Sequence, residues 1–116
     1  MRVTSSVAKK HKKKYFHLAK GYYSDKKNRW RQVKQQVEKS LQHAYRDRKD
    51  RKGDFRQLWI LRINALSRQY GLPYSKFING LRKAGIDINR KILADLAVHD
   101  AESFHSLTEV AKQALE

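Results

Sequence analysis

The strongest constraint on what this chain can fold into is the placement of its positive charge. Residues 1–58 hold 19 Lys and Arg against 5 Asp and Glu, whereas residues 59–116 hold 8 against 6. A half with so few acids cannot collapse on itself, because like charges forced into a compact state repel. It needs a dense polyanion to order it, and nucleic acid is the polyanion whose charges are spaced closely enough.

The 116 residues carry a formal net charge of +16, and the sequence pI is about 10.3. A domain this basic has the electrostatic footprint of a nucleic-acid binder. The length leaves room for one small domain and an extension. Without cysteine, disulfides and thiolate metal sites are excluded, which fits a reducing compartment. No apolar run approaches the roughly 20 residues that span a bilayer. The basic start lacks the apolar stretch of a secretory signal. No helix pairs a broad Leu/Phe/Trp face with a Lys-rich one, so a membrane is not the expected partner.

Met1 to Lys14 is almost without apolar residues and contains Lys9, Lys10, His11, Lys12, Lys13 and Lys14 in a row. Alone, such a segment is expected to be disordered. Tyr15, Phe16 and Leu18 suffice for a turn or two of helix, stopped by Gly21. Gly21-Tyr22-Tyr23-Ser24-Asp25 reads as a turn, with Ser24 or Asp25 capping the next helix. From Lys26 to Tyr70 there is no proline and one glycine, Gly53. Trp30, Val33, Val37, Leu41 and Ala44 recur at spacings of three and four, a narrow helical stripe. The stripe fades over Tyr45–Asp54 and returns broader with Phe55, Leu58, Trp59, Ile63, Leu66 and Tyr70. The spacing predicts one long helix, bent near Gly53. At about 45 residues it would be roughly 65 Å long, more than so small a domain can cover.

Gly71-Leu72-Pro73-Tyr74 breaks that helix, since proline disfavours helix at the residue before it. Ser75 is the expected N-cap of a short helix to Ala84, with Gly85 as its stop. Asn89 caps a second, to about His99, and Asp100 a third, to about Leu115. No stretch sustains period-two alternation, so no sheet is expected. The fold class is therefore all-α: a long basic extension over residues 1–58, largely helical when bound to RNA, then a small globular helical domain over residues 59–116. Such a domain is near the lower size limit for independent folding. Its expected core is Trp59, Ile63, Leu66, Phe77, Ile78, Leu81, Ile92, Leu93, Leu96, Phe104, Leu107 and Val110. The N-terminal half has no comparable apolar set and is expected to fold fully only on its polyanion.

The segment Tyr45–Arg56 is the most informative for function. On a helix, Arg46, Arg48, Lys49, Arg51, Lys52 and Arg56 point in nearly every direction, whereas an ordinary surface helix concentrates charge on one side. A helix ringed by arginine suits passage between phosphate walls, since the guanidinium fork binds phosphate bidentately and stacks on bases. The competing reading is a solvated helix laced with pairs to Asp47, Asp50 and Asp54, but the six cations outnumber these three acids. Lys9, Lys10, His11, Lys12 and Lys13 supply charge to phosphates with little sequence information, and Lys20 and Arg29 add to them. Tyr15, Tyr22, Tyr23 and Trp30 interleave with the cations, and aromatics so placed can stack on unpaired bases; Tyr45 is a further candidate RNA contact. Trp30 heads the apolar stripe and is assigned to packing.

On the Ser75 helix, Phe77, Ile78, Leu81 and Ala84 fall on one side and Ser75, Lys76, Asn79, Gly80 and Lys83 on the other. The polar side is nearly free of acids, and its glycine permits close backbone approach. It reads either as a docking face for nucleic acid, joined by Arg90, or as an ordinary solvated face, while Arg62 is expected to clamp phosphate with Arg46, Arg48, Arg51, Lys52 and Arg56. Nothing points to catalysis. His99 and His105 are six apart and cannot share a helical face as ligands. There is no phosphate-cradling glycine loop, no HExxH and no acid pair placed for proton transfer. No enzyme activity, metal, cofactor or small-molecule substrate is expected.

Five blocks carry a resemblance: Ala19-Lys20-Gly21-Tyr22-Tyr23, Ala44-Tyr45-Arg46-Asp47-Arg48, Lys52-Gly53-Asp54-Phe55-Arg56-Gln57-Leu58-Trp59-Ile60-Leu61-Arg62-Ile63-Asn64 with Arg68, Tyr74-Ser75-Lys76-Phe77-Ile78-Asn79-Gly80-Leu81, and Asp87-Ile88-Asn89-Arg90-Lys91-Ile92-Leu93-Ala94-Asp95. In this order they resemble the family of the twentieth protein of the bacterial large ribosomal subunit, in register from about His11 to the C-terminus. The resemblance implies a cytoplasmic, ribosome-bound helical protein that binds 23S ribosomal RNA directly and early in large-subunit assembly. It also implies neighbouring large-subunit proteins as partners and, in some members, repression of translation by binding their own mRNA. Met1–Val7 is poorer in cations than the family's usual opening, and Gly53 and Asp54 stand where longer or basic residues are common. The alternatives from other classes are a helix-turn-helix-like DNA binder around Gly85–Asn89 and a basic RNA chaperone without a fixed site. Against the first, the helix after Asn89 opens with only two cations.

A Met1–Phe55 peptide is expected to show low helicity by circular dichroism, rising when RNA is added. Full helicity with cooperative melting in the absence of RNA would count against polyanion-dependent folding.

Overall fold

The computed structural model describes residues 6–116; the first five residues of the lysine-rich opening lie outside the described residues. Among the described residues every regular element is a helix. They are α1 (Ser6–Leu18), a single 3-10 turn (Ser24–Lys27), α2 (Trp30–Gln69), α3 (Tyr74–Lys83), α4 (Arg90–His99) and α5 (Ala101–Gln113). The chain divides into two compact units, the first ending at Lys49 and the second spanning Asp50–Glu116.

In the first unit the lysine run is helical rather than irregular, because α1 extends back through it to Ser6. The support comes from beyond the run. Ala19, Val33 and Val37 are fully buried, with Tyr15 and Phe16 packed against them. Trp30 meets Tyr15 edge-on at 5.5 Å, lies 6.0 Å from Phe16, and has the Lys12 ammonium 5.4 Å from its ring centroid. The indole thus packs, as its place at the head of the stripe implies. Gly21 turns the chain with φ +85°, a conformation costly for any residue with a Cβ. Ser24 and Asp25 lie inside the 3-10 turn instead of capping the long helix, which begins at Trp30 rather than Lys26. This apolar set is real but small beside that of the second unit.

α2 runs 40 residues and passes through Gly53 without interruption. It ends in a Schellman motif: Leu72 N–H donates to the Ser67 carbonyl (2.9 Å) and Gly71 N–H to that of Arg68 (3.0 Å), with Gly71 at φ +86°. The end of α3 repeats it, Ile86 N–H to Leu81 (2.9 Å) and Gly85 N–H to Arg82 (3.1 Å). α3 starts two residues earlier than expected, at Tyr74 rather than Lys76. Its N-cap is Pro73, which offers no side-chain acceptor; instead Asn64 Oδ1 on α2 accepts from Tyr74 N–H at 3.3 Å. Ser75 is therefore inside the helix and caps nothing. Asn89 and Asp100 cap as their sequence positions imply, accepting from Ile92 N–H (2.9 Å) and Ser103 N–H (3.0 Å). The hydroxyl and amide of Ser103 together hold the Asp100 carboxyl below its ordinary pKa.

The core of the second unit is Ile63, Leu72, Phe77, Leu81, Leu93, Ala94, Phe104 and Ala111, with Trp59, Leu66, Ile78, Leu96 and Leu107 packed around it. Phe77 and Phe104 stack at 5.0 Å. Burying side chains of this size contributes about 1.5–3 kcal/mol each. Ile92 (50% exposed) and Val110 (38%) are not core residues: each sits at the edge of an apolar stripe, on the solvent side of a helix that buries only its centre. The two buried polar side chains are satisfied locally, Ser67 by the Asn64 carbonyl and Thr108 by that of Phe104.

α5 packs on α3 and α4. Against α3 the approach is so close that a Cβ built on Gly80 would stand 2.5 Å from the Ala111 carbonyl oxygen and 2.8 Å from its Cβ. Gly80 is thus buried in the α3–α5 contact, not on the exposed polar face where the helical pattern puts it. Gly80→Ala is expected to force the two helices apart, at a cost of about 1–3 kcal/mol as for other overpacked sites. Denaturant unfolding of the full chain measures this, and an unchanged midpoint would show the contact to be slack.

Candidate nucleic-acid interface

In the first unit Lys9, Lys10, His11, Lys12 and Lys13 are exposed on successive positions of α1 and so ring the helix. His11 also lies 5.1 Å from Tyr15 and 6.2 Å from Trp30, so its ring edges the aromatic cluster. Lys20 is exposed in the turn after α1, Tyr22 is half-buried and Tyr23 is 86% exposed. Arg29 forms an exposed pair with Asp25 at 3.3 Å. Tyr45, Arg46 and Arg48 are exposed on α2. The Lys49 ammonium sits 4.4 Å from the Tyr45 ring, and Arg46 is 3.5 Å from Asp47. Pairs this exposed add little stability, and they leave a cation excess on the helix.

In the second unit every residue from Asp50 to Leu58 is exposed, including Arg51, Lys52 and Arg56. A helical stretch with water on all sides gains nothing from tertiary burial, the usual source of helix stability. Phe55 is 46% exposed. It has the Arg51 guanidinium 5.8 Å from its ring and Trp59 at 6.4 Å one turn further on.

One turn beyond, α2 and the start of α4 enclose a groove of about 540 Å³, lined by Trp59, Arg62, Asn89, Lys91, Ile92, Ala94 and Asp95. A second recess of about 310 Å³ shares Trp59, Asn89 and Lys91 with it and adds Arg56 and Arg90. Arg90 is half-buried, and its Nε donates to the Tyr74 hydroxyl at 2.7 Å, which fixes it between α3 and α4. The fold thus brings Arg56, Arg62 and Arg90 together. Ser75, Lys76 and Asn79 are exposed on α3 but are not among the walls of this groove.

Trp59, Asn89 and Lys91 are site-forming residues that the sequence pattern does not single out. Trp59 reads as core because part of it is core; the rest of the indole faces the groove. A usable signal exists in Arg56 and Arg62, which stand three residues to either side of Trp59 and so share its helical side. Across the groove and the adjoining recess, Arg56, Arg62, Arg90 and Lys91 stand against one acid, Asp95, and give a positive field suited to phosphate. Among the described residues no cluster of metal-ligating side chains occurs, and no helix is long and apolar enough to cross a membrane.

The family model for Ribosomal protein L20 matches residues 2–107. The chain is similar to the large ribosomal subunit protein bL20 of Carboxydothermus hydrogenoformans, 56% identical over 112 residues that cover 97% of this chain and 96% of that one. It is 55% identical over 116 residues to bL20 of Elusimicrobium minutum, covering 99% and 98%. With bL20 of a Chelativorans species it shares 58% over 104 residues, 90% of this chain and 78% of the other.

Lys52 is exposed, and the residues one turn away on its own side of the helix, Arg48, Lys49, Phe55 and Arg56, include no acid. Lys52→Ala is expected to leave unfolding unchanged and to lower the slope of log K against log salt for RNA binding by about one. An unaltered slope would mean that Lys52 meets no phosphate.

Proposed function

This chain belongs to the ribosomal protein L20 family, and on that premise we propose that it is a structural constituent of the large ribosomal subunit that binds 23S ribosomal RNA. The family is ribosomal rather than enzymatic. The observation that carries the RNA-binding part is the wholly exposed Asp50–Leu58 stretch, where Lys52 and Arg56 share one side of the helix and Arg51 stands about 100° round from Lys52, so that cations line more than a third of its circumference. Such a helix presents a broad, water-facing cationic side and therefore suits a wall of phosphates. The groove at Trp59 adds a fixed, concave contact of the same sign.

In this reading the lysines of α1 and the arginines of α2 neutralise repulsion between RNA segments as they pack, which places the protein's action early in subunit assembly. Neutralisation by side chains releases counterions, so affinity falls steeply with salt. The second unit supplies orientation through a shaped surface: Arg56, Arg62 and Arg90 around the groove, with Ser75, Lys76 and Asn79 on the exposed side of α3. A surface that reads RNA shape binds any RNA that adopts the same shape, which extends the proposal to a regulatory site on the protein's own mRNA. Other RNA-anchored large-subunit proteins are the expected neighbours.

The test is a salt titration of full-length protein on a large-subunit ribosomal RNA fragment, with a duplex DNA of equal length as competitor. Saturable binding that the DNA displaces only at large excess is expected. Equal competition, phosphate for phosphate, would reduce the protein to a generic basic binder.

A further inference from the structure

Trp59 poses a question that phosphate binding does not answer. It is half-buried, packed on one side against the core of the second unit. Its other side, with Ile92, forms apolar wall in a groove otherwise rimmed by Arg62, Lys91 and, in the adjoining recess, Arg56. Ile92 is 50% exposed although it stands in the first turn of a helix with a well-buried face. A surface built only for phosphates would gain nothing from an indole and an isoleucine left in water at its centre.

We propose that this groove seats one unpaired RNA nucleotide, its base against the Trp59 indole and Ile92 and its phosphates at Arg56 and Lys91. The inference rests on the RNA-binding reading above and names the form of RNA this site takes. A flat aromatic wall inside a concavity cannot reach the faces of bases stacked in a duplex. Bases splayed from loops or bulges do present their faces, and proteins read them by stacking and by hydrogen bonds to their edges. The volume, about 540 Å³, falls in the range of clefts that enclose small organic ligands.

The polar atoms divide the work accordingly. The Asn89 carboxamide oxygen is committed to the Ile92 N–H at 2.9 Å, so this side chain offers its NH₂ as a donor to the nucleotide. Asp95, the single acid of the groove, would repel a phosphate. It suits instead the donor edge of a base, its amino or imino hydrogens. Cations, an acid and an aromatic wall are the three kinds of group that the phosphate, the donor edge and the face of a nucleotide require. Phe55, one turn before Trp59 and 46% exposed, extends the aromatic surface toward the next base.

The chain has two tryptophans, Trp30 and Trp59, so full-length W30F leaves Trp59 as the only reporter of its emission. The probes are a mixed-sequence single-stranded RNA octamer, an abasic octamer with the same phosphates, and the octamer annealed to its complement. The single strand is expected to quench Trp59 saturably and to bind about tenfold more tightly than the abasic strand, within the range of base–aromatic stacking. The duplex should leave the emission unchanged. In the W30F background, W59F should keep most of the preference for bases and W59A should abolish it; K91E should weaken the two single strands alike. Equal binding of octamer and abasic octamer by the unsubstituted chain overturns the proposal, a result that needs no variant to fold, and unmoved Trp59 emission in W30F would agree with it. If ribosomal RNA still binds in that case, only the groove assignment fails. If neither ribosomal RNA nor octamer binds, the RNA reading fails with it.

Discussion

The close passage of α3 over α5 at Gly80 is the contact on which the second unit depends. With no Cβ in the way, the two backbones come near enough for Phe77 and Phe104 to stack and for Leu81 and Ala111 to be enclosed. α5 in turn carries α4, joined to it through the Asp100 cap. The placement of α4 sets where Asn89, Arg90 and Lys91 stand relative to Trp59 and Arg62. A few tenths of an ångström at a glycine that touches no ligand thus propagate to the walls of the groove, because packed interiors transmit displacement rather than absorb it.

Two kinds of residue divide α2 within the second unit. Ile63, Leu66 and Ser67 face the core or its rim and pin the helix to α3 through Asn64, which caps a helix ten residues away. Residues 50–58 face only water. The first set pays for folding; the second is stable as helix only because it continues a helix anchored elsewhere. That continuity lets an arginine-rich segment be held helical and ready without any packing of its own. A ready helix loses less conformational entropy on binding than a coil would.

What is legible in the sequence is local. Asn89 and Asp100 announce their helices because a cap acts within one turn, and Gly71 and Gly85 end theirs by the same short-range logic. The all-helical class comes from periodicity alone. Where the decisive partner is distant, the pattern misleads. Ser75 looks like a cap, but the acceptor is Asn64 on another helix. Gly80 falls among polar neighbours on a helical projection, and only the position of Ala111 shows that it faces inward. The lysine run of α1 looks unable to fold because its support, Trp30, Val33 and Val37, lies across the turn at Gly21. Trp59 reads as wholly core because a projection gives each residue a single direction, and a large indole has two faces.

The uncovered stretch of α2 also bears on how long the protein lasts. Helix without tertiary packing opens locally at low free-energy cost, and cleavage of such a segment tracks how often it is open. Residues 50–58 are rich in arginine and lysine, the residues at which many proteases cut. A protease would reach the uncovered helix there, and any partner that encloses the stretch would protect it.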